Sequence, residues 1–473
     1  MTATPASLPS ESELRSPTPL LWPLIWLALP VLAEHALHIL VGMTDTYLAN
    51  NLVSTERLAG AALDQAHATN AAAGAAVGSV TYILWFIGLI VSSIGTGATA
   101  IIARAIGARH RRLANKVCGQ SILGAAVIGT VMAVALFFAA NPLSKLVGLE
   151  PDSAALFAQY VRVLSFGFPF AVLMFTANSC LRGAGDTVTP AVAMISLDII
   201  NLVVSATLAW GLFGFEAWGF VGIAIGTTAA YIVGGVLQII VLLVGRGGIR
   251  LFFHRLKPDW HTLRRVLRIG IPSGSEGLLM WLGNFAVLRS VNQINDISAT
   301  AHNIAIRVES LSYMSGFAVA TAVATMVGQS LGAKDAPRAQ RAAYFGYGIG
   351  GGMMVLLGGV FILFSRQCAS LFSDDPLIID QAAQCLFLTG FIQIGFSAAI
   401  VFGSALRGAG DTTAVMVLNL ASILIVRCGG VLIISAFGAT LFQIWLVLCG
   451  ELLVRGLLLY GRFASGRWKT VEV

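Results

Sequence analysis

Long apolar runs separated by short polar ones make up nearly the whole chain. About 20 consecutive apolar residues in a helix cross a ~30 Å hydrocarbon core. By that measure the pattern predicts twelve membrane helices. The first six cover 20–49, 71–99, 113–140, 154–181, 187–211 and 218–245. The second six cover 263–292, 297–331, 339–364, 378–406, 412–436 and 438–462. A basic linker, 246–262, divides them. The organisation expected is therefore a polar tail (1–19), a six-helix bundle (20–245), the linker, a second six-helix bundle (263–463) and a closing tail (464–473).

Charge supplies the orientation. An even number of crossings puts both chain ends on one side. That side holds 21 of the 29 Lys and Arg, while the opposite loops hold only Arg57, Lys145 and Arg366, leaving 5 within the spans. The positive-inside rule then makes both termini cytoplasmic. No short apolar leader with a small-residue cleavage site precedes the first span. At 57% hydrophobic and 11% charged residues, the composition excludes a soluble globular protein, and the net charge of +7 needs no nucleic-acid partner.

The two halves repeat. Arg182-Gly-Ala-Gly-Asp186-Thr187 recurs as Arg407-Gly-Ala-Gly-Asp411-Thr412, and Gly107-Ala108 recurs as Gly332-Ala333, both at an offset of 225. Pro30-x-x-x-Glu34 recurs as Pro272-x-x-x-Glu276 at an offset of 242. The 17-residue difference points to an insertion in the first half, in the polar stretch 50–70. Six helices per half make the repeats parallel, related by an axis along the membrane normal. In each repeated loop, glycine suits a left-handed helix cap and Asp-Thr the start of the next helix. Arg182 and Arg407 are expected at headgroups or helix-end carbonyls. These loops read as structural, with a gate contact between the halves as the alternative.

Polar groups inside the spans are the candidate chemistry, because lipid tolerates them only when they face protein or water. Glu34, His38 and Asp45 fall within about 40° of one another on the first helix. Asp198, Asn201 and Ser205 share one face of the fifth and can face Asp45. This set is the candidate ion-coupling site, with helix-to-helix hydrogen bonding as the bland alternative. Phe166, Phe170 and Met174, with Glu276, Met280, Tyr313 and Met314, offer aromatic, thioether and acidic surface to a large cationic ligand. Ordinary packing explains each of them equally well. Arg307, Glu309, Arg427, Glu451 and Arg455 are expected to form internal ion pairs, and Pro30, Pro169 and Pro272 to permit kinks.

Other chemistries are excluded. Glu34-His35-x-x-His38 is not a zinc helix, since the order is wrong and no third ligand follows. Gly346-x-Gly348-x-Gly350 lies inside an apolar span and is a packing surface, not a nucleotide loop. No Walker motif, catalytic pair or CxxC occurs. The six cysteines are scattered through apolar segments.

Twelve spans in two halves, Thr44-Asp45-Thr46 in the first, Leu-Arg-Gly-Ala-Gly-Asp-Thr closing the fourth and tenth, and Ile106-Gly-Ala and Leu331-Gly-Ala after the second and eighth resemble the multidrug and toxic compound extrusion (MATE) family. The resemblance covers about 20–470. It implies a V-shaped pair of bundles exchanging H+ or Na+ for cationic, often aromatic drugs, with Asp45 as the coupling carboxylate and Asn201 beside it. Ser205 stands where many members carry a second Asp. Met280 and Phe396 stand where the NorM-like branch carries second-bundle acids, so coupling through the first bundle, as in the DinF-like branch, is expected. The expectation is thus a monomeric multidrug antiporter of the cell membrane, with no cofactor beyond its ion. The competing expectation is a flippase for a lipid-linked sugar or cell-wall precursor, which would show a cavity rich in Arg and Lys.

Overall fold

The computed structural model describes residues 20–53, 61–252 and 256–472. His38 is among a few residues in these ranges whose side chains lie outside the description, as do Arg15, Arg57 and Arg255 altogether. Among the described residues, all regular structure is helical apart from one bridge between Arg246 and Ile249. Twelve long helical segments coincide one for one with the twelve apolar runs. They are α1 (Leu21–Asn50), α2 (Ala61–Gly107), α3 (Arg111–Val147), α4 (Pro151–Ala184), α5 (Val188–Trp210) and α6 (Phe220–Val244). The second half follows with α7 (Trp260–Asn292), α8 (Asp296–Gly332), α9 (Ala336–Ser370), α10 (Pro376–Gly408), α11 (Thr412–Ser435) and α12 (Leu441–Ala464). Nine of them, among the described residues, are long and apolar enough to cross a membrane. Leu356, Leu363, Phe138, Ile425 and Leu457 are each at least 70% exposed, an outer surface that suits lipid and not water.

Helix ends keep the repeat. α1 and α7 stop at Asn50 and Asn292, and the turns after α2 and α8 use the same left-handed residue, Arg109 (φ 59°) and Lys334 (φ 60°). Among the described residues, α2 is ten residues longer than α8 (47 against 37). The polar stretch 61–70 is therefore an extension of α2 rather than a loop. Asn70 in that extension holds the preceding segment by paired hydrogen bonds with the N–H and C=O of Val53, both 3.0 Å.

The cores do not divide at the linker. Leu20, Leu24 and Ala28, the first turns of α1, are buried among Val319, Val323 and Val327 of α8 and residues of α9 and α10. Leu48 and Ala49, its last turn, are buried with α2, α4 and α6 of the first half. α7 does the reverse. Val266 and Ile269 belong to the first half's core, Val287 and Val291 to the second's. Each half's leading helix thus starts against the opposite half and finishes in its own. Pro30 and Pro272 sit inside unbroken helices where this crossing occurs.

The linker is pinned to α3. Gln120 donates to the Lys257 carbonyl and accepts from the Asp259 N–H (both 2.8 Å), and Asn115 accepts from the Arg250 N–H. Asp259 caps α7 by accepting from the N–H groups of His261 and Thr262.

Candidate functional site

Four helices of the first half converge on one hydroxyl. Thr227 Oγ1, on α6, lies 2.9 Å from the Tyr160 hydroxyl of α4 and 3.0 Å from Asn201 Nδ2 of α5, which donates to it. With Tyr160 donating to it, its own proton has two acceptors, the Ile223 carbonyl at 3.2 Å and Asp45 Oδ2 of α1 at 3.4 Å. A hydroxyl has one proton, so it serves one acceptor at a time. Asp45 Oδ1 and Asn201 Oδ1 are buried acceptors with no partner among the described residues. An acceptor left open away from water is costly, and a proton on Asp45 or a small bound cation relieves that cost. Asp198, also buried, lies within electrostatic reach of Asp45 and Tyr231.

The polar residues of α1 do not gather in one place. Glu34 lies eleven residues, about 16 Å of helix, before Asp45. It accepts from Arg182 of the repeated loop at 2.6 Å. Ser205 donates to the Ile223 carbonyl at 3.3 Å and so ties α5 to α6. His38 lies outside the described side chains.

The second half repeats the Glu–Arg pair and not the Asp45 cluster. Arg407 donates to Glu276 at 2.7 Å, and Asn419 of α11 also donates to Glu276. The two motifs that recur in the sequence are therefore partners of each other in both halves. Arg182 and Arg407 reach carboxylates, where headgroups or helix-end carbonyls were expected. A half-buried guanidinium opposite a buried carboxylate satisfies both charges at once. Asp186 accepts from the N–H and hydroxyl of Thr189 and so caps α5. Asp411 makes no such cap and instead accepts from Arg462 of α12 at 2.8 Å.

Of the expected ligand surface, Met174 is fully buried among Met194, Leu197 and Ala230. Phe166 is 66% exposed and stands edge-on to Phe137 on the outer side of α3. Phe170 is half-buried, with its main chain against Gly235. Tyr313 packs on Phe396 and Phe317, and the Met314 carbonyl lies 3.4 Å from His35 Nδ1 of α1. Met280 takes a contact from Arg455.

An ion cluster deeper in the second half joins three of the charges expected to pair. Glu451 accepts from both Arg427 and Arg455, and from Ser422 at 2.7 Å. Arg427 also donates to Asn284 at 2.5 Å. Arg307 is exposed, and Glu309 is buried beside Arg427. Sequence reading missed Tyr160 and Thr227. The signal was present, a Thr227-Thr228 pair in an otherwise apolar run, yet a threonine costs little in a membrane helix and marks no partner by itself.

A family model described as MatE matches residues 66–207 and 272–430, one stretch in each half. Over 456 residues the chain is 27% identical to the "probable multidrug resistance protein NorM" of Thermotoga maritima, covering 94% of this chain and 92% of that one. It is also 27% identical to the "uncharacterized transporter YisQ" of Bacillus subtilis, covering 97% of each. Among solved structures, an outward-facing multidrug resistance MATE family transporter superposes with a TM-score of 0.85 at 20% identity, over 97% of this chain and 98% of that one. A superfamily transporter from Pyrococcus furiosus, described as having a binding pocket of reverse polarity, superposes at 0.84 with the same identity and coverage. At such identity these likenesses establish the fold.

Proposed function

The chain belongs to the MatE family of membrane transporters, not enzymes, and from that premise we propose that it is a secondary exporter of cationic, aromatic amphipathic compounds. In this reading both termini are cytoplasmic, all twelve helices cross the membrane, and an inward flow of protons drives export. The names carried by its relatives support drugs as the substrate class.

The observation that carries the coupling step is the Asp45–Thr227–Asn201–Tyr160 cluster, a carboxylate with one open oxygen on a helix that crosses between the halves. Charged, Asp45 draws the Thr227 proton. Neutralised, it releases that hydroxyl to the Ile223 carbonyl. α1 can then shift against α5 and α6 while its first turns stay seated in the second half. Proton and drug favour different states of one two-state equilibrium, which is what exchange requires. Sodium is the competing ion. With one carboxylate, a hydroxyl and an amide on the site, a proton is the simpler occupant. Coupling through the first half alone is the DinF-like arrangement.

The way four intrahelical arginines are held favours the exporter over the flippase reading. Arg182, Arg407, Arg427 and Arg455 are each bound to a carboxylate of this chain and are not arrayed for a pyrophosphate.

Uptake of a fluorescent lipophilic cation into inverted proteoliposomes tests the proposal, with pH and Na+ gradients imposed separately. Uptake that follows the pH gradient and falls at least about 100-fold in Asp45→Asn is expected, the loss typical of removing a group that handles the proton. Full gradient-driven uptake by Asp45→Asn rejects the coupling role. Uptake that follows Na+ alone rejects the proton.

A further inference from the structure

Beneath the site, the end of the molecule where the chain leaves α12 is closed by contacts that cross between the halves. Arg104, in the last turn of α2, donates from Nη2 to the Ala409 carbonyl in the second half's repeated loop (3.0 Å) and from Nη1 to the Val471 carbonyl beyond α12 (2.7 Å). In the opposite sense, Gln329 of α8 donates to the Gly183 carbonyl in the first half's repeated loop (3.3 Å). Thr325, one turn earlier, donates to the Arg182 carbonyl (3.0 Å). The repeat offset of 225 superimposes Arg104 on Gln329, so the closure is one clasp used twice, charged in one half and neutral in the other.

The segment that offers Val471 is itself anchored. A 3-10 turn, Arg467–Thr470, seats Trp468 in the second half, fully buried and stacked on Phe463 at 4.8 Å. The Trp468 indole N–H donates to the Phe463 carbonyl at 2.7 Å. Lys469 reaches Gln340 of α9. Asp411–Arg462 fixes the loop holding Ala409 to the end of α12. The second half therefore presents two positioned carbonyls to one cation of the first.

We propose that Arg104 and the 467–472 segment form a releasable strap that holds this end shut, and that its strength sets how often the molecule opens here. The proposal rests on reading the chain as an alternating-access transporter. Arg104's two partners are both carbonyls. One of them, Ala409, caps the C-terminal end of α10, where the helix dipole favours a cation. Carbonyls hold a guanidinium less tightly than a carboxylate does, which suits a contact made and broken in each cycle.

The test uses the full chain in nanodiscs, without substrate or gradient, with spin labels at Arg112 and Pro337, which flank the closed end in the two halves. Cys368 and Cys428, the half-buried thiols, are replaced by serine, and the other four cysteines are buried. The wild type is expected to give mainly the short distance. Arg104→Ala is expected to raise the ratio of long to short populations about tenfold, as losing charge-assisted bonds implies. Gln329→Ala should raise it less. Arg104→Lys, which keeps the charge, and Trp468→Ala, which unseats the strap without touching Arg104, keep the test decisive if Arg104→Ala folds poorly. A distribution unchanged from wild type in Trp468→Ala overturns the strap, and Arg104→Lys should lie between wild type and Arg104→Ala. Because distances are read without transport, failed uptake would reject the exporter and leave this result standing.

Discussion

Single residues divide into those that must be satisfied and those left open. Glu451 is of the first kind, fully buried between two guanidiniums. Replacing it by glutamine leaves two buried cations without their anion, a loss of about 3–5 kcal/mol. The expected result is a fall of several degrees in the melting temperature of detergent-solubilised protein, and a melt unchanged from wild type would show the cluster to be dispensable. Asp259 is the case outside the membrane. Its hydrogen bond from Lys116, then that from the Thr262 N–H, hold its carboxyl down at about 2. An unfolded aspartate titrates near ~3.9, so this contribution is complete above that pH and lost as the pH falls towards 2. The melting difference between wild type and Asp259→Asn should hold from pH 7 to about pH 4 and close below it. A difference that instead closed between pH 7 and 5 would assign the stabilisation to another group. Much of the site was legible here because lipid makes polar residues conspicuous. Asp45, Asn201 and Asp198 stand out in apolar runs. Their partners did not, since Tyr160 and Thr227 look ordinary until four helices meet.

At the scale of elements, the helices were legible, most ends to within three residues but both ends of α2 and the far ends of α3 and α9 well short of the observed ones, while their pairing was not. The repeated Pro-x-x-x-Glu and Arg-Gly-Ala-Gly-Asp motifs were visible as repeats. That each pairs with the other through Glu34–Arg182 and Glu276–Arg407 depends on packing that no spacing encodes. α11 adds a second example. Its wide-turn segment Ser422–Gly429 brings both Ser422 and Arg427 to Glu451, and nothing in its apolar sequence announces the change of pitch. Glycine marks the closest helix contacts. A side chain at Gly107 would strike the main chain of Gln329, and one at Gly332 that of Arg104. Gly332→Leu should therefore hold the strapped end apart, read as cysteine labelling at a buried position of the same contact such as Thr325→Cys rising about tenfold over the same cysteine with Gly332 intact. Equal labelling in both backgrounds would place the contact outside the closure.

For the whole molecule, two halves share a scaffold and differ in chemistry, with duplicated Glu–Arg pairs and loops but one Asp45 cluster. Composition was enough for the class of protein. The exchange of leading helices was hidden, because the apolar residues of α1 look alike whichever half they bury against. That exchange has a consequence for how the chain is made. The ribosome delivers α1 first, yet Leu24 finds its seat against Val323 only after about 300 more residues have entered the bilayer. Until then one flank of α1 is left to lipid or to a holding factor, and the first half cannot mature ahead of the second. Severed at the linker, the fragments should be interdependent during biogenesis, each waiting for a helix that the other supplies.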